Sequence, residues 1–255
     1  MPSTYAHYRL GKLLLPTLPG EVQQCIHRFR RMYDMGLQGP DFFFYHNPIL
    51  KTTAGEYGYK FHKQTGKDFF KIACKVATSE AARAYLYGLL SHYVLDSVSH
   101  PVVRKKEAAG EGRHIPIEKE FDRYLMALDG VENPHTKDLG GKIRLTRGEC
   151  VTVAAFYPPA TPNQVNQAVK IMSLSLSFLA KKERGFLGGV IRDFSPRLLE
   201  HAVPETADEN ALRTNSELLA RFNWAVKDYP KYLEALEAYR THKEDLPELF
   251  EASFG

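Results

Sequence analysis

The chain has 255 residues, of which 44% are hydrophobic and 25% charged, and this composition is ordinary for a globular protein with a substantial core. The formal net charge of +4 is small, and basic and acidic residues are interleaved, so the sequence carries no strong signal for nucleic acid or an anionic membrane. Polar residues stand where a signal peptide would place its apolar run, and the three cysteines are too few and too far apart for a disulfide framework. We therefore expect a cytoplasmic protein.

Helical signals dominate the first half of the chain. Apolar residues recur at helical spacing over 21–35, and the Gly- and Pro-containing segment 36–41 is expected to be a loop with Asp41 at a helix N-cap position. Ser79 is expected to begin a long apolar helix that ends near His100, because Pro101 follows. Pro116 lies where the first turn of the next helix is expected, and Gly130 is expected to end that helix.

The second half is also predicted to be mainly helical. Thr146 with Glu149, Thr161 with Gln164 and Thr206 with Glu209 match the capping box that begins many helices. The segment 142–157 has a β-hairpin as its alternative, since apolar residues alternate there. The uncharged stretch 150–169 contains three prolines and does not qualify as a transmembrane segment. The sequence thus predicts an all-α fold, with one multi-helix domain over 1–255.

The clearest chemical signal is the stripe formed by His92, Asp96 and His100. Residues four apart lie one turn above each other on a helix, and this segment is otherwise apolar. Burying two imidazoles and a carboxylate is costly unless they have strong partners, and a zinc ion is such a partner. The alternative from these residues alone is a hydrogen-bonded His–Asp pair in the core, with His100 at the helix end.

A second pair, His114 and Glu118, repeats the four-residue spacing at the start of the next helix, with Asp122 one turn later. The alternative is a solvated helix flank whose contact contributes only ~0.2–0.5 kcal/mol. Two such pairs on consecutive predicted helices favour a metal site over that alternative.

Other metal motifs are excluded by position or by absence. The two Glu-x-x-His segments, which end at His114 and His135, lie in Gly- or Pro-bearing turns rather than on inward-facing helices as a di-iron site requires. Neither a His-Glu-x-x-His motif nor a cysteine-based zinc pattern occurs in the chain.

The order and spacing of these residues resemble the zinc-dependent phospholipase C family. The resemblance covers about the first half of the chain and rests on Gly39-Pro-Asp41-Phe, His62, the stripe from His92 to His100, and the His114–Glu118 pair. It implies an all-α fold with a di- or trinuclear zinc cleft, whose ligands lie within residues 1–122, and a helical remainder over 140–255.

The resemblance also implies a set of ligands. One zinc would be held by four side chains, namely Asp41, His62, His92 and Asp96, and a second by three, namely His100, His114 and Glu118. A third would be held by His7 and a bridging Asp96, completed in the family by the backbone of the N-terminal residue. His46 is an alternative to His62, because the interval from Asp41 to His62 is long.

The function implied is hydrolysis of a small-molecule or lipid phosphodiester of the phospholipase C type. Asp41 would also be the catalytic base that orients the attacking water. Two alternatives stay open, namely a zinc nuclease or phosphatase of related fold and a non-catalytic helical module with structural zinc.

Overall fold

The computed structural model describes residues 4–46, 52–181, 199–242 and 244–255, and these segments form one helical domain. The described residues are 75% helical and include no β-strand, so the predicted all-α fold is confirmed. The α-helices are α1 (Thr4–Leu14), α2 (Gly20–Arg28), α3 (Arg30–Gly36), α4 (Thr53–His62), α5 (Gly66–Val76), α6 (Glu80–Ala108), α7 (His114–Leu128), α8 (Arg147–Ala154), α9 (Pro162–Leu179) and α10 (Leu212–His242).

Helix α6 is the central element of the fold. Its middle turns are buried on every side, and it packs mainly against α3 and α10. The crossing with α3 is unusually close, because a Cβ on Gly36 would lie 2.2 Å from the backbone oxygen of Tyr85, and one on Gly88 would lie 2.2 Å from that of Tyr33. Glycine at both positions lets the two backbones touch, and this contact places the segment after α3 against the histidine stripe of α6.

The predicted end of α6 is wrong, although its predicted start is confirmed. The Ser79 side chain accepts a hydrogen bond from the Ala82 backbone N–H and caps the helix, but the helix continues through Pro101 to Ala108. Proline in a helix interior removes one backbone hydrogen bond and costs about 3 kcal/mol. Val102 and Val103, directly after the proline, are buried in the core, and their packing offsets this local cost.

Most of the remaining helix boundaries agree more closely with the predictions from capping residues and glycines. Helix α7 begins at His114 and ends just before Gly130, whose φ of 75° is the left-handed conformation expected of a C-terminal glycine. The predicted capping boxes at Thr146 and Thr161 are present at the starts of α8 and α9, and α8 rules out the hairpin alternative. The one predicted at Thr206 is wrong, because Asp208 caps the short 3₁₀ helix Glu209–Ala211 instead. The single helix predicted over 21–35 is wrong, because Phe29 is non-helical and separates α2 from α3.

Two carboxylates, one in α7 and one directly after it, hold helix α1 in place. Asp122 accepts hydrogen bonds from the backbone N–H groups of Tyr5 (3.3 Å) and Ala6 (2.9 Å). Two turns later, Asp129 accepts bonds from the Tyr5 hydroxyl and from the Arg9 guanidinium, all at 2.8 Å. These contacts fix the position of the helix that carries His7. In the described ranges, no helix has the length and apolar character needed to span a bilayer.

Candidate metal centre

Two groups of potential metal ligands meet along α6. The first consists of Asp41, His62, His92 and Asp96, and the second of His100, His114 and Glu118, with the ligand atoms of a group no more than 4.8 Å apart. Helix α6 contributes to both groups. Helix α4 ends at His62 of the first group, and α7 contributes two members of the second.

Gly39 brings Asp41 to the first group. The segment Gly39–Tyr45 is a 3₁₀ helix that passes directly over the His92 imidazole. Gly39 has a φ of 51°, and a Cβ there would lie 2.3 Å from the His92 ring. Only glycine satisfies both conditions without strain, so this residue allows the Asp41 carboxylate to approach α6.

The nitrogen and oxygen atoms of the first group point towards a shared space. His62 Nε2 lies 2.9 Å from Asp41 Oδ1, and His92 Nε2 lies 3.1 Å from Asp96 Oδ2. Despite these short distances, the two histidine nitrogens and Asp96 Oδ2 are buried and make no hydrogen bond with any described residue. Ligand atoms around a tetrahedral zinc lie about 3.3–3.6 Å apart. This spacing falls between the short contacts of 2.9 and 3.1 Å and the maximum separation of 4.8 Å within the group. Unsatisfied buried atoms in this arrangement fit a zinc ion.

Backbone carbonyls fix the orientation of three histidines. His62 Nδ1 donates to the Gly58 oxygen at 2.6 Å, His92 Nδ1 to the Leu37 oxygen at 3.2 Å, and His100 Nδ1 to the Phe254 oxygen at 2.6 Å. A carbonyl can only accept, so each Nδ1 carries a proton, and Nε2 is the ring nitrogen left to face the carboxylates and to bind a metal ion. This is the outer shell that metal-binding histidines ordinarily have.

The second group is smaller and more open than the first. Glu118 Oε1 lies 3.3 Å from His100 Nε2 and 3.2 Å from His114 Nε2. The His114 side chain is 24% exposed, whereas those of His100 and Glu118 are almost fully buried. This group therefore combines three potential ligands with access from solvent.

His7 also reaches this centre, whereas His46 does not. His7 Nε2 lies 3.1 Å from Asp96 Oδ1, and its ring stacks on His92 with centroids 4.2 Å apart. The N-terminal residue that the resemblance adds to a third site lies outside the described residues. His46 belongs to neither group, and its Nδ1 lies 3.0 Å from the Thr52 hydroxyl.

The carboxylates are held in their ionised form. Burial alone would raise their pKa values, but nearby positive charge, to which the facing histidines contribute, outweighs it and lowers the pKa values of Asp41 and Asp96 below the ordinary range for aspartate. For Glu118, burial is likewise outweighed, with His100 and His114 contributing, and its pKa falls to about 2. Ionised, buried carboxylates beside imidazole Nε2 atoms are the donor set that zinc prefers among non-thiolate ligands.

The sequence comparison agrees with this geometry. The sequence model of zinc-dependent phospholipase C matches residues 6–154, which is more than half of the chain and includes every residue of both groups and His7. The chain belongs to the zinc-dependent phospholipase C family. No curated protein and no solved structure gives a significant match to it.

This phospholipase C family member has further residues at the centre that the sequence analysis did not identify. His201 lies beyond the matched segment, and its Nδ1 is 3.2 Å from the Tyr45 hydroxyl. Burial, with a contribution from the Lys119 charge, lowers the pKa of His201 to about 3 and keeps it neutral. Phe254, which orients His100, is also far along the chain. No motif or spacing signal connects either residue to the first half of the sequence.

Proposed function

We propose that the chain hydrolyses phosphodiesters with zinc ions bound by the two groups and His7. One zinc would be held by Asp41, His62, His92 and Asp96, a second by His100, His114 and Glu118, and a third by His7 and Asp96. Zinc in such sites polarises a phosphoryl oxygen and lowers the pKa of water towards neutrality.

The observation that carries this proposal is the composition of the second group. Structural zinc sites usually have four protein ligands, whereas catalytic sites have three and leave a position for water or substrate. Among the described residues the second group has three, and the partly exposed His114 gives access to it. This arrangement supports an enzyme over a binding module with structural zinc.

The side chains of the centre chiefly position water and substrate. Asp41 is completely buried, and its carboxylate faces the shared space of the first group. We assign it a second role as the general base that orients the attacking water and accepts its proton. Such catalysis typically contributes about 10²–10⁴-fold to the rate.

A lipid phosphodiester is the proposed substrate, because the family is named for phospholipid hydrolysis. A nuclease of related fold would be expected to show base-stacking aromatic residues along a basic groove. The small net charge and the single tryptophan do not favour that reading.

The test is Asp41→Asn, compared with the parent in zinc content and in turnover. The substrates are bis(p-nitrophenyl) phosphate, phosphatidylcholine vesicles and single-stranded DNA. We expect the variant to keep much of its zinc, since an amide oxygen still coordinates weakly, and to lose about 10²-fold or more in turnover. Asp245→Asn, an exposed carboxylate outside both groups, is the matched control and should behave like the parent.

Each result has a defined meaning. Equal turnover of Asp41→Asn and the parent would show that Asp41 is not the general base. A zinc-loaded parent that turns over none of the three substrates would contradict the proposed function, whereas turnover of DNA alone would assign the nuclease.

A further inference from the structure

A cavity of about 70 Å³ lies outside the metal centre. It is formed by the start of α1, the segment 31–38 that includes most of α3, and the segment 137–144, and none of the eight proposed ligands lines it. Its walls combine apolar and aromatic side chains, namely Tyr8, Met35, Leu139 and Ile143. It is therefore a pocket separate from the metal centre.

Two buried polar groups in this pocket have no partner. Thr4 is 2% exposed and Gln38 is 3% exposed, and both line the cavity. Thr4 Oγ1 and Gln38 Oε1 make no hydrogen bond within the described ranges of the chain. Buried hydroxyl and amide groups are almost always hydrogen-bonded in folded proteins, so these two point to a polar ligand.

The rim of the pocket is positively charged. It carries two acidic and four basic side chains, namely Asp34, Asp138, Arg31, Lys137, Lys142 and Arg144. Both acidic side chains have partners. Asp34 forms an ion pair with Arg30 at 2.7 Å, and Asp138 accepts hydrogen bonds from the Gly140 backbone N–H and the Ser177 hydroxyl, both at 2.8 Å.

The basic side chains differ in whether they form an ion pair. Arg31 pairs with Glu149 at 2.9 Å. Lys142 Nζ donates to the Tyr8 hydroxyl at 3.1 Å, and it forms no ion pair within 4 Å among the described residues, although its charge also acts on Asp34. Because the four basic side chains outnumber the two acidic ones, the net electrostatic field at the mouth of the pocket favours an anion.

We propose that this pocket binds a small phosphorylated polyol. Its hydroxyl groups would bond to Thr4 and Gln38 inside, its carbon skeleton would pack on Met35 and Ile143, and its phosphate would meet Lys142 at the rim. The inference does not depend on hydrolysis at the metal centre, because no proposed ligand contributes to the pocket.

The experiment is calorimetric titration of the zinc-loaded protein with glycerol 3-phosphate, with glycerol and inorganic phosphate as comparison ligands. We expect glycerol 3-phosphate to bind more tightly than either, because only it offers both hydroxyl groups and an anion. Gln38→Leu and Lys142→Gln should each weaken its binding by about tenfold, since each removes one hydrogen-bonding or charged partner.

Lys227→Gln removes an exposed charge on α10 and serves as the matched control, with affinity expected to equal that of the parent. Lys142 is also exposed, so its substitution tests the pocket without threatening the fold. If glycerol 3-phosphate binds only at the metal centre, its affinity for Lys142→Gln and for Gln38→Leu will equal its affinity for the parent. That result, or no binding to the parent, would overturn the proposal.

Discussion

The Phe254 backbone oxygen accepts a hydrogen bond from His100 Nδ1 at 2.6 Å, across 154 positions of sequence. Next to it, the Gly255 N–H donates to the His62 backbone oxygen at 3.0 Å. The Phe254 ring packs near Tyr93 and Phe69, with centroids 4.9 and 5.1 Å apart. Residues 254–255 therefore contact one histidine of each candidate group.

Deletion of residues 254–255 should weaken zinc binding by about 10–100-fold, because His100 loses the acceptor that fixes its ring. Phe254→Leu is the matched control, since it keeps the backbone oxygen and most of the apolar contact. The measurement is competition for zinc with a chelator of known affinity. Equal affinities of the deletion variant and the control would show that the carbonyl has no positioning role.

Removal of zinc should lower the melting temperature of the protein. Without the ions, buried atoms such as His92 Nε2 and Asp96 Oδ2 have no hydrogen-bond partner among the described residues, and ligands that bind only the folded state stabilise it. Calorimetry before and after chelation measures the change, and re-addition of zinc should restore the original value. An unchanged melting temperature would contradict a metal site at this position.

His62→Ala should lose about one equivalent of bound zinc, whereas His46→Ala should keep the parent's content. The reason is geometric, since His62 Nε2 lies 2.9 Å from Asp41 and His46 contacts Thr52 instead. Elemental analysis of both purified variants makes the comparison. Loss of zinc from His46→Ala alone would reverse our choice between the two histidines.

His92→Ala should reduce phosphodiester turnover more than His7→Ala. His92 is oriented by the Leu37 oxygen and belongs to a four-residue group, whereas His7 Nδ1 is buried without a partner among the described residues. Turnover and zinc content are measured on both variants. An inactive His7→Ala beside an active His92→Ala would show that the residue roles are wrong.

The local features of this protein could be predicted from its sequence. Capping boxes at Thr146 and Thr161, and the i, i+4 spacing of His92, Asp96 and His100, depend only on neighbouring residues and on the period of the α-helix. For the same reason the all-α fold and the family resemblance followed from the sequence, and both are confirmed. The ligand roles of the eight residues stay a prediction, although the structure brings these residues together.

Other features were decided only by tertiary structure. Helix α6 passes through Pro101 because core packing after the proline outweighs a local cost, and the contacts of His201 and Phe254 join segments that are distant in sequence. The position of His62, rather than His46, beside Asp41 depends on how α4 packs against the Gly39–Tyr45 turn. Local periodicity contains no information on such contacts, because they form only when distant helices pack into one core.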